Sequence, residues 1–243
     1  MSRRRLYVPR ARIGEGRALL EAADLRYLRS VLRLPPGSEL EVFDGEGGTH
    51  LARLEEEGGA LHLALGPRRE EAIAPASLRL AFALARGERC DVAVQKATEL
   101  GVARLSPFEA VRSVVRLDAA RREERARRWR RIAADAARQC GRADVPRVDS
   151  PASLGEVLGD AGGEVRKIAL HTGGGEPLAA VVDRASRGHL LLVGPEGGFT
   201  ADEVEACLAA GARLGTLGPR TLRFETACIA AVTLVQHLAG DLG

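Results

Sequence analysis

From Leu78 to the end of the chain, short apolar runs alternate with segments of helical periodicity. Strands that alternate with helices fold as a mostly parallel sheet that is covered by helices on both faces. The runs that predict strands are 78–84, 103–107, 167–171, 189–193 and 213–217, and the segments that predict helices are 90–100, 118–140, 177–186, 201–210 and 225–239. This alternation predicts an α/β fold for the larger part of the chain.

The first third of the chain has a different pattern. Residues 6–13 alternate as a strand does, and residues 22–34 carry apolar side chains at helical spacing. Three more strand patterns follow, separated by glycine turns, at 39–43, 49–54 and 60–65. These patterns predict a small β-rich domain that forms a compact barrel. Residues 66–77 are polar and typical of a linker, so we place the boundary near residue 72, with domains of 1–71 and 72–243.

The net charge of the 243 residues is only +3, but just two of the 36 lysines and arginines are lysines. Arginine suits the recognition of phosphates and base edges because its planar fork donates two hydrogen bonds at once. GC-rich codon usage or growth at high temperature would also favour arginine, so both explanations stay open.

Other bulk features restrict the setting in which the protein works. The four cysteines are widely spaced, and no histidine lies at metal-ligand spacing from them. This pattern predicts reduced thiols and no metal site. No apolar run is long enough to span a bilayer, and no export signal is recognisable. We therefore expect a cytoplasmic protein without membrane contact.

Three glycine-rich segments follow predicted strands. They are 171–175 (HTGGG), 194–199 (GPEGGF) and 217–227 (LGPRTLRFETA). Loops at the carboxyl ends of parallel strands lie at one edge of a sheet, where open α/β sheets bind their ligands. Glycine lets backbone amides approach a ligand closely, although glycines also occur where strands merely end. Thr200 and Glu203 predict a capping box at the start of the next helix.

Several other chemistries lack their motifs. No GxGxxG lies between a strand and a helix, and residues 194–200 lack the Gly-Lys-Ser/Thr ending of a phosphate-binding P-loop. Neither a GxSxG elbow nor an HExxH pair occurs. The arginine-rich helix 118–140 presents either a solvated face with internal ion pairs or a surface that contacts RNA, and the sequence leaves both open.

Six segments together resemble the ribosomal RNA small subunit methyltransferase E family. They are 27–33 (YLRSVLR), 95–101 (QKATELG), 112–115 (RSVV), 139–142 (QCGR), 194–199 and 217–227, and they occur in the family's order over nearly the whole chain. Arg138 and Phe224 depart from the usual pattern, in which an acidic and a polar residue are common.

The resemblance implies a fold that periodicity alone would not suggest. This family belongs to the SPOUT methyltransferases, whose α/β domain ends in a trefoil knot, binds S-adenosyl-L-methionine in that knot and works as a homodimer. The amino-terminal domain would then be PUA-like and bind RNA. The implied reaction is methylation of N3 of uridine 1498 in the 16S rRNA of the small ribosomal subunit, without a metal.

The chemistry of uracil N3 then suggests roles for the charged residues of the last motif. N3 must lose its proton before it attacks a methyl group, so the enzyme has to align the two and stabilise the uracil anion. We expect Arg223, or Arg220, to donate to the developing oxyanion, and Glu225 to accept the proton. Glu225 could instead serve only as a carboxylate at a helix start, where the dipole favours it.

The resemblance also implies two sets of binding residues. The cofactor would be held by Leu170, His171, Thr172, Gly173, Gly194, Pro195, Glu196, Gly197, Leu217, Gly218, Leu222, Thr226 and Ala227. An unstacked base is required because N3 lies on the pairing edge. The flanking RNA phosphates would be held by Arg10, Arg12, Arg29, Arg33, Lys96, Arg112, Arg142 and Arg220. For Lys96 a simple ion pair with Glu99 is the alternative.

Two other classes of protein stay open at this point. A nucleotide-phosphate enzyme could use the glycine loops as an anion cradle, but it would need a lysine near residues 194–200 that the sequence lacks. A catalytically silent RNA-binding protein would keep the small domain and the arginines and would need no cofactor loops.

Overall fold

The computed structural model describes residues 4–71, 77–161, 165–186, 188–240 and 242. The chain divides into two compact units. One contains the described residues before 72 together with Ala134–Val145, and the other contains the remaining described residues. The predicted boundary at residue 72 and part of the predicted linker lie outside the described residues, so the division into domains 1–71 and 72–243 stays a prediction.

The first unit is organised around a six-stranded sheet. Its strands are β1 (Arg5–Tyr7), β2 (Arg17–Ala18), β3 (Glu39–Phe43), β4 (Gly48–Glu57), β5 (Ala60–Leu65) and β6 (Arg69–Glu70). The order is β1-β3-β4-β5-β2, with β6 paired to β4, and only the β1–β3 pairing is parallel. Helix α1 (Ala22–Arg26) continues into a π-helical turn at Tyr27–Val31, whose Leu28 is fully buried in the core of this unit.

The sequence predicts this unit well except near its start. Strands β3 and β5 have the predicted bounds, and β4 extends beyond them. The prediction of one strand over 6–13 is wrong, because a 3-10 turn at Arg10–Arg12 follows β1. Pro9 has no backbone N–H for a strand ladder, and its carbonyl oxygen accepts instead from the N–H of Arg12 at 2.8 Å. Part of the predicted linker, β6, pairs with β4, and closure into a barrel stays a prediction.

The second unit contains a parallel sheet covered on both faces, as predicted. Its strands are β7 (Ser77–Ala83), β8 (Arg104–Glu109), β9 (Arg147–Val148), β10 (Ala152–Ser153), β11 (Arg166–Leu170), β12 (Glu176–Pro177), β13 (Gly188–Val193) and β14 (Arg213–Thr216). The order is β10-β8-β7-β13-β11-β14-β12, with β9 paired to β8, and every pairing is parallel. All of β13 is buried, as expected of a central strand.

Helices lie on the two faces of this sheet. They are α2 (Arg89–Glu99), α3 (Ala119–Cys140), α4 (Leu154–Gly159), α5 (Leu178–Val181), α6 (Ala201–Ala209) and α7 (Phe224–Ala239). Helices α4 and α6 bury Leu154, Val157 and Cys207 against alanines and leucines of the strands. Helix α7 packs against α2, α5, β7 and β13. The trefoil knot stays a prediction from the resemblance.

The predicted helices are confirmed with one correction and one omission. Residues 177–186 do not form one helix, because α5 ends at Val181. Asp183 accepts a hydrogen bond from the N–H of Ala185 at 3.0 Å, a local turn that competes with helix. Helix α4 was missed by the periodicity, although Ser153 and Glu156 form a capping box at its start. Among the described residues, no helix is both long and apolar enough to cross a membrane.

The carboxyl end of α3 belongs to the first unit. Ala137 and Ala143 pack there against the buried ring of Phe43. The guanidinium of Arg138 lies 4.0 Å from the centre of the Tyr27 ring, a cation–π contact. This contact gives a structural reason why Arg138 departs from the family pattern, since an acidic residue could not make it.

A charged cluster lies near the amino ends of β7 and β8. Asp149 Oδ2 accepts from Arg104 Nε at 2.8 Å and from Ser106 Oγ at 2.7 Å, and the buried Arg79 donates Nε to Ser106 Oγ at 2.7 Å. Burial by itself raises the pKa of Asp149, but the hydrogen bonds from Arg104 and Ser106 bring that pKa below its usual value. Asp160 lies 3.2 Å from Arg79 and shares both arginines with Asp149.

Candidate functional site

The carboxyl ends of three neighbouring strands enclose a pocket in the second unit. Strand β11 lies between β13 and β14 and is parallel to both, so the loops after these strands meet at one edge of the sheet. They surround a pocket of about 270 Å³, close to the lower end of the range for small-molecule sites. Of the thirteen residues predicted to hold a cofactor, all but Thr226 line this pocket.

Glycines bring the backbone of the pocket close to its neighbours. A Cβ atom at Gly194 would lie 3.2 Å from the ring of Phe199, and one at Gly197 would lie 3.3 Å from Cδ of Arg112. Gly218 has a φ of +101°, in the region that only glycine adopts readily. At these positions the pocket wall is formed by main-chain groups, which a larger side chain would cover or displace.

Aromatic and apolar side chains complete the lining. The ring of Phe199 is stacked on that of Phe108, with centroids 6.1 Å apart and an angle of 5° between the planes. Val193, Phe199, Thr216, Thr221 and Phe224 line the pocket but are not among the residues predicted to hold the cofactor. Each of these residues lies within or next to one of the three glycine-rich loops, and that position in the sequence is the signal that could have identified them as pocket residues.

The loop after β13 is fixed at its far end by the capping box that the sequence predicts. Thr200 Oγ1 accepts from the N–H of Glu203 at 3.2 Å, and Glu203 Oε2 accepts from the N–H of Thr200 at 2.9 Å. Within the loop, Glu196 forms an ion pair with Arg89. In the loop after β11, the Nδ1 atom of His171 accepts from the N–H of Gly173 at 3.2 Å.

The residues expected to carry the chemistry lie at the start of α7. Arg223 occupies the N-cap position and is exposed, and Glu225 lies in the first turn. The Oε2 atom of Glu225 is buried and has no hydrogen-bond partner among the described residues. Arg223, Glu225 and Thr226 do not line the pocket, whereas Arg220 does. The four residues share one loop and helix start.

The predicted RNA-contacting residues fall into two sets. Arg10, Arg12, Arg29, Arg33 and Arg142 all belong to the first unit. Arg29 and Arg33 are exposed, whereas Arg12 donates to Asp24 Oδ2 at 2.7 Å and Arg142 donates to Asp144 Oδ1 at 3.1 Å. Arg33 has a φ of +52°, an unusual conformation for a residue other than glycine.

Lys96, Arg112 and Arg220 belong to the second unit. Lys96 donates to both carboxylate oxygens of Glu99, at 2.9 and 2.8 Å. This is the ion pair that the sequence offers as the alternative to an RNA contact. Arg112 lines the pocket and donates Nη1 to the carbonyl oxygen of Gly197 at 2.7 Å. Arg220 is exposed at the pocket.

Three of the four cysteine thiols are buried. Burial raises the pKa of Cys90 to about 11 and that of Cys207 to about 11, and it raises the pKa of Cys228 as well. Cys140 is exposed. Over the part of the chain that the structure describes, no group of three or more His, Cys, Asp or Glu side chains could hold a metal ion.

Comparison with known proteins identifies the class. A family model of the RNA methyltransferase domain matches residues 73–236, and a model of the RNA methyltransferase PUA domain matches residues 20–63. The parallel sheet, its pocket and these matches define an RNA methyltransferase. Ribosomal RNA small subunit methyltransferase E of Mycobacterium bovis is 32% identical over 228 residues, which cover 91% of this chain and 86% of the relative. The chain belongs to the ribosomal RNA small subunit methyltransferase E family.

Solved structures with the same fold cover nearly the whole chain. Ribosomal RNA small subunit methyltransferase E from Neisseria gonorrhoeae, bound to S-adenosyl methionine, is 30% identical with a TM-score of 0.87 and covers 99% of this chain and 100% of its own. A methyltransferase from Legionella pneumophila, in complex with the same cofactor, is 29% identical with a TM-score of 0.88 and covers 98% of each chain. A nucleotide-phosphate enzyme and a silent RNA-binding protein are thereby set aside.

Proposed function

We propose that this enzyme transfers the methyl group of S-adenosyl-L-methionine to N3 of a uridine in 16S rRNA, uridine 1498, on the small ribosomal subunit. The observation that carries the proposal is the convergence of three loops, distant in sequence, on one pocket lined by twelve of the thirteen expected cofactor residues. The relatives with bound S-adenosylmethionine support the choice of methyl donor. The choice of uridine N3 rests on the family resemblance.

The pocket suits a ligand that has both an apolar ring and polar edges. Leu170, Val193 and Leu217 contribute apolar surface, and the glycines leave main-chain amides and carbonyls open to the ligand. When bound, the sulfonium of the cofactor supplies an electrophilic methyl group that needs alignment and no activation. The three loops would provide that alignment.

The protein must also favour the uracil anion. Arg220 lines the pocket and Arg223 lies three residues further on, so either guanidinium is available to donate to O2 or O4 of the uracil as charge develops. We propose that Glu225 accepts the N3 proton, because its buried Oε2 atom has no other partner among the described residues. The competing role for this carboxylate is to stabilise the first turn of α7 through its favourable interaction with the helix dipole.

The remaining parts of the proposal concern the RNA and the assembly. The arginines of the first unit would hold phosphates that flank an unstacked uridine, which predicts binding that weakens steeply with salt. The domains would be 1–71 for RNA binding and 72–243 for methyl transfer. We further propose that the enzyme acts as a homodimer in the cytoplasm and that its carboxyl-terminal segment forms the trefoil knot of the SPOUT fold.

The test is a methyl-transfer assay with labelled S-adenosylmethionine. Small ribosomal subunits and naked 16S rRNA that lack the modification serve as substrates, and nucleoside mass spectrometry identifies the product. We expect label in 3-methyluridine with at least one substrate, and a large loss of rate for Arg223→Ala. Arg166→Ala is the matched control, because Arg166 is exposed at the amino end of β11 and pairs only with Asp183 among its described contacts.

Three results would count against the proposal in different ways. Label in a different nucleoside would overturn the target while leaving the enzyme class intact. No transfer to either RNA, despite cofactor binding, would overturn the substrate. Equal rates for Arg223→Ala and Arg166→Ala would remove Arg223 from the chemistry.

A further inference from the structure

Two loops of the second unit are joined by hydrogen bonds from both a side chain and the main chain. Arg112, after β8, donates Nη1 to the carbonyl oxygens of Gly197 and Phe199 at 2.7 and 3.4 Å. The neighbouring Val111 donates its N–H to Oε1 of Glu203, in the first turn of α6, at 2.8 Å. One loop thus supplies a guanidinium and an amide, and the other supplies carbonyls and a carboxylate.

Packing fixes both ends of this connection. The side chain of Glu203 is buried, and its second oxygen already holds the N–H of Thr200 in the capping box. The stem of Arg112 lies against Gly197 so closely that a Cβ atom there would come within 3.3 Å of Cδ. Arg116 donates to the carbonyl oxygens of Ala110 and Val111 at 2.9 Å, which holds the Arg112 loop from its other side.

The loop that these hydrogen bonds hold, residues 194–199, forms a wall of the pocket. Gly194, Gly197 and Phe199 all line the pocket, and Arg112 lines it too. A hydrogen bond between an ionised group and a neutral partner is stronger than one between two neutral groups. The hydrogen bonds of Arg112 and Glu203 therefore help to fix the conformation of this wall. This role of Arg112 requires no RNA.

We propose that Arg112 and Glu203 are positioning residues, which hold the 194–199 loop in the shape that binds the methyl donor. This inference rests on the proposed function and goes beyond it, because it moves Arg112 from the expected RNA contacts to the support of the cofactor site. It follows that cofactor affinity depends on both residues in the absence of RNA.

The first test separates the two jobs of Glu203. Glutamine also serves at this position of a capping box, so Glu203→Gln keeps the bond from Thr200 and leaves the Val111 N–H facing an amide NH₂. The control is Glu156→Gln, because Glu156 makes the same capping-box bond to Ser153 at 2.8 Å in α4, away from the pocket. Titration calorimetry with S-adenosylhomocysteine, without RNA, should show about tenfold weaker binding for Glu203→Gln and no change for Glu156→Gln.

The second test asks whether Arg112 acts on the cofactor or on RNA. Arg112→Ala should weaken S-adenosylhomocysteine binding by about fivefold to tenfold, with partial recovery in Arg112→Lys and no change in Arg166→Ala. The salt dependence of RNA binding should stay that of the wild type. An unchanged cofactor Kd, together with a salt slope reduced by about one, would show an RNA phosphate contact and overturn the proposal.

A third readout does not depend on the identity of the cofactor. Hydrogen exchange in the peptides that contain Val111 and Thr200 should be faster in Arg112→Ala than in Arg166→Ala, while the unfolding midpoints of the two variants stay within a few degrees. Unchanged exchange would overturn the positioning role. If the wild type bound no S-adenosylhomocysteine, the proposed function would fail while this exchange experiment still decided the role of the two side chains.

Discussion

Replacing Gly218 by alanine tests whether the backbone of the third loop is part of the cofactor site. Gly218 lines the pocket and has a φ of +101°. A Cβ atom there would meet no atom of the described residues within 4 Å, so steric overlap with them is not the obstacle. The only obstacle is the backbone conformation, which an L-residue adopts at a cost of about 1 to 3 kcal/mol.

That cost should appear in ligand binding. The exposed loop can relax in the free protein, but it must return to the strained conformation when the ligand binds. A penalty of about 1 to 3 kcal/mol corresponds to a Kd raised by about fivefold to 150-fold. Titration calorimetry with S-adenosylhomocysteine measures it directly, and urea unfolding measures how much of the strain the free protein keeps.

Gly211→Ala is the matched control. Gly211 has a φ of +81°, and an added Cβ would have none of the described atoms within 4 Å. It lies at the end of α6, where its N–H donates to the carbonyl oxygen of Leu208. This change should lower the free energy of unfolding by about 1 kcal/mol and leave the Kd unchanged. If Gly218→Ala bound the ligand as the wild type does while Gly211→Ala was destabilised, the loop backbone would have no part in binding.

Three further predictions follow from single residues. Asp149→Asn should lower the free energy of unfolding by about 2 to 3 kcal/mol at pH 7 in urea titrations. The lowered pKa of Asp149 gives stability that is present above the unfolded pKa of about 3.9 and is lost as the pH falls through the folded value, so the difference should shrink below pH 4. Native protein should react quickly with a thiol reagent at Cys140 alone, since burial raises the pKa of Cys90 and Cys207 to about 11. Arg33→Gly should raise the free energy of unfolding by about 1 kcal/mol in urea, because it relieves a φ of +52°, yet weaken RNA binding with a salt slope lower by about one.

The α/β fold was predictable because its strands are central and buried. Strand β13 is apolar from Leu190 to Val193 and has helices on both sides of its sheet, so its pattern does not depend on neighbouring loops. The failures have local causes. Pro9 turns the chain after β1, and the Asp183 side chain begins a turn where helical periodicity continues.

The composition of the chain does not predict that Ala134–Val145 belongs to the first unit. Ala137 and Ala143 are as suitable for the apolar face of a helix or loop in either unit, and only the three-dimensional structure shows that they pack against Phe43. Tyr27 and Arg138 illustrate the same limit. Their cation–π contact joins residues 111 positions apart, and neither residue carries a local sign of the other.

The pocket was predictable for a general reason, because carboxyl ends of parallel strands share one edge of a sheet whatever their separation in sequence. The hydrogen bonds that support the pocket wall were not predictable from the sequence. Glu203 is visible in the sequence as a capping-box residue, a role that one carboxylate oxygen satisfies. Its other oxygen holds Val111, 92 residues away, and the helix pattern contains no trace of that bond. A residue with a sufficient local explanation can therefore hide a second role, and for Glu203 the unexplained oxygen is the one that reaches the site.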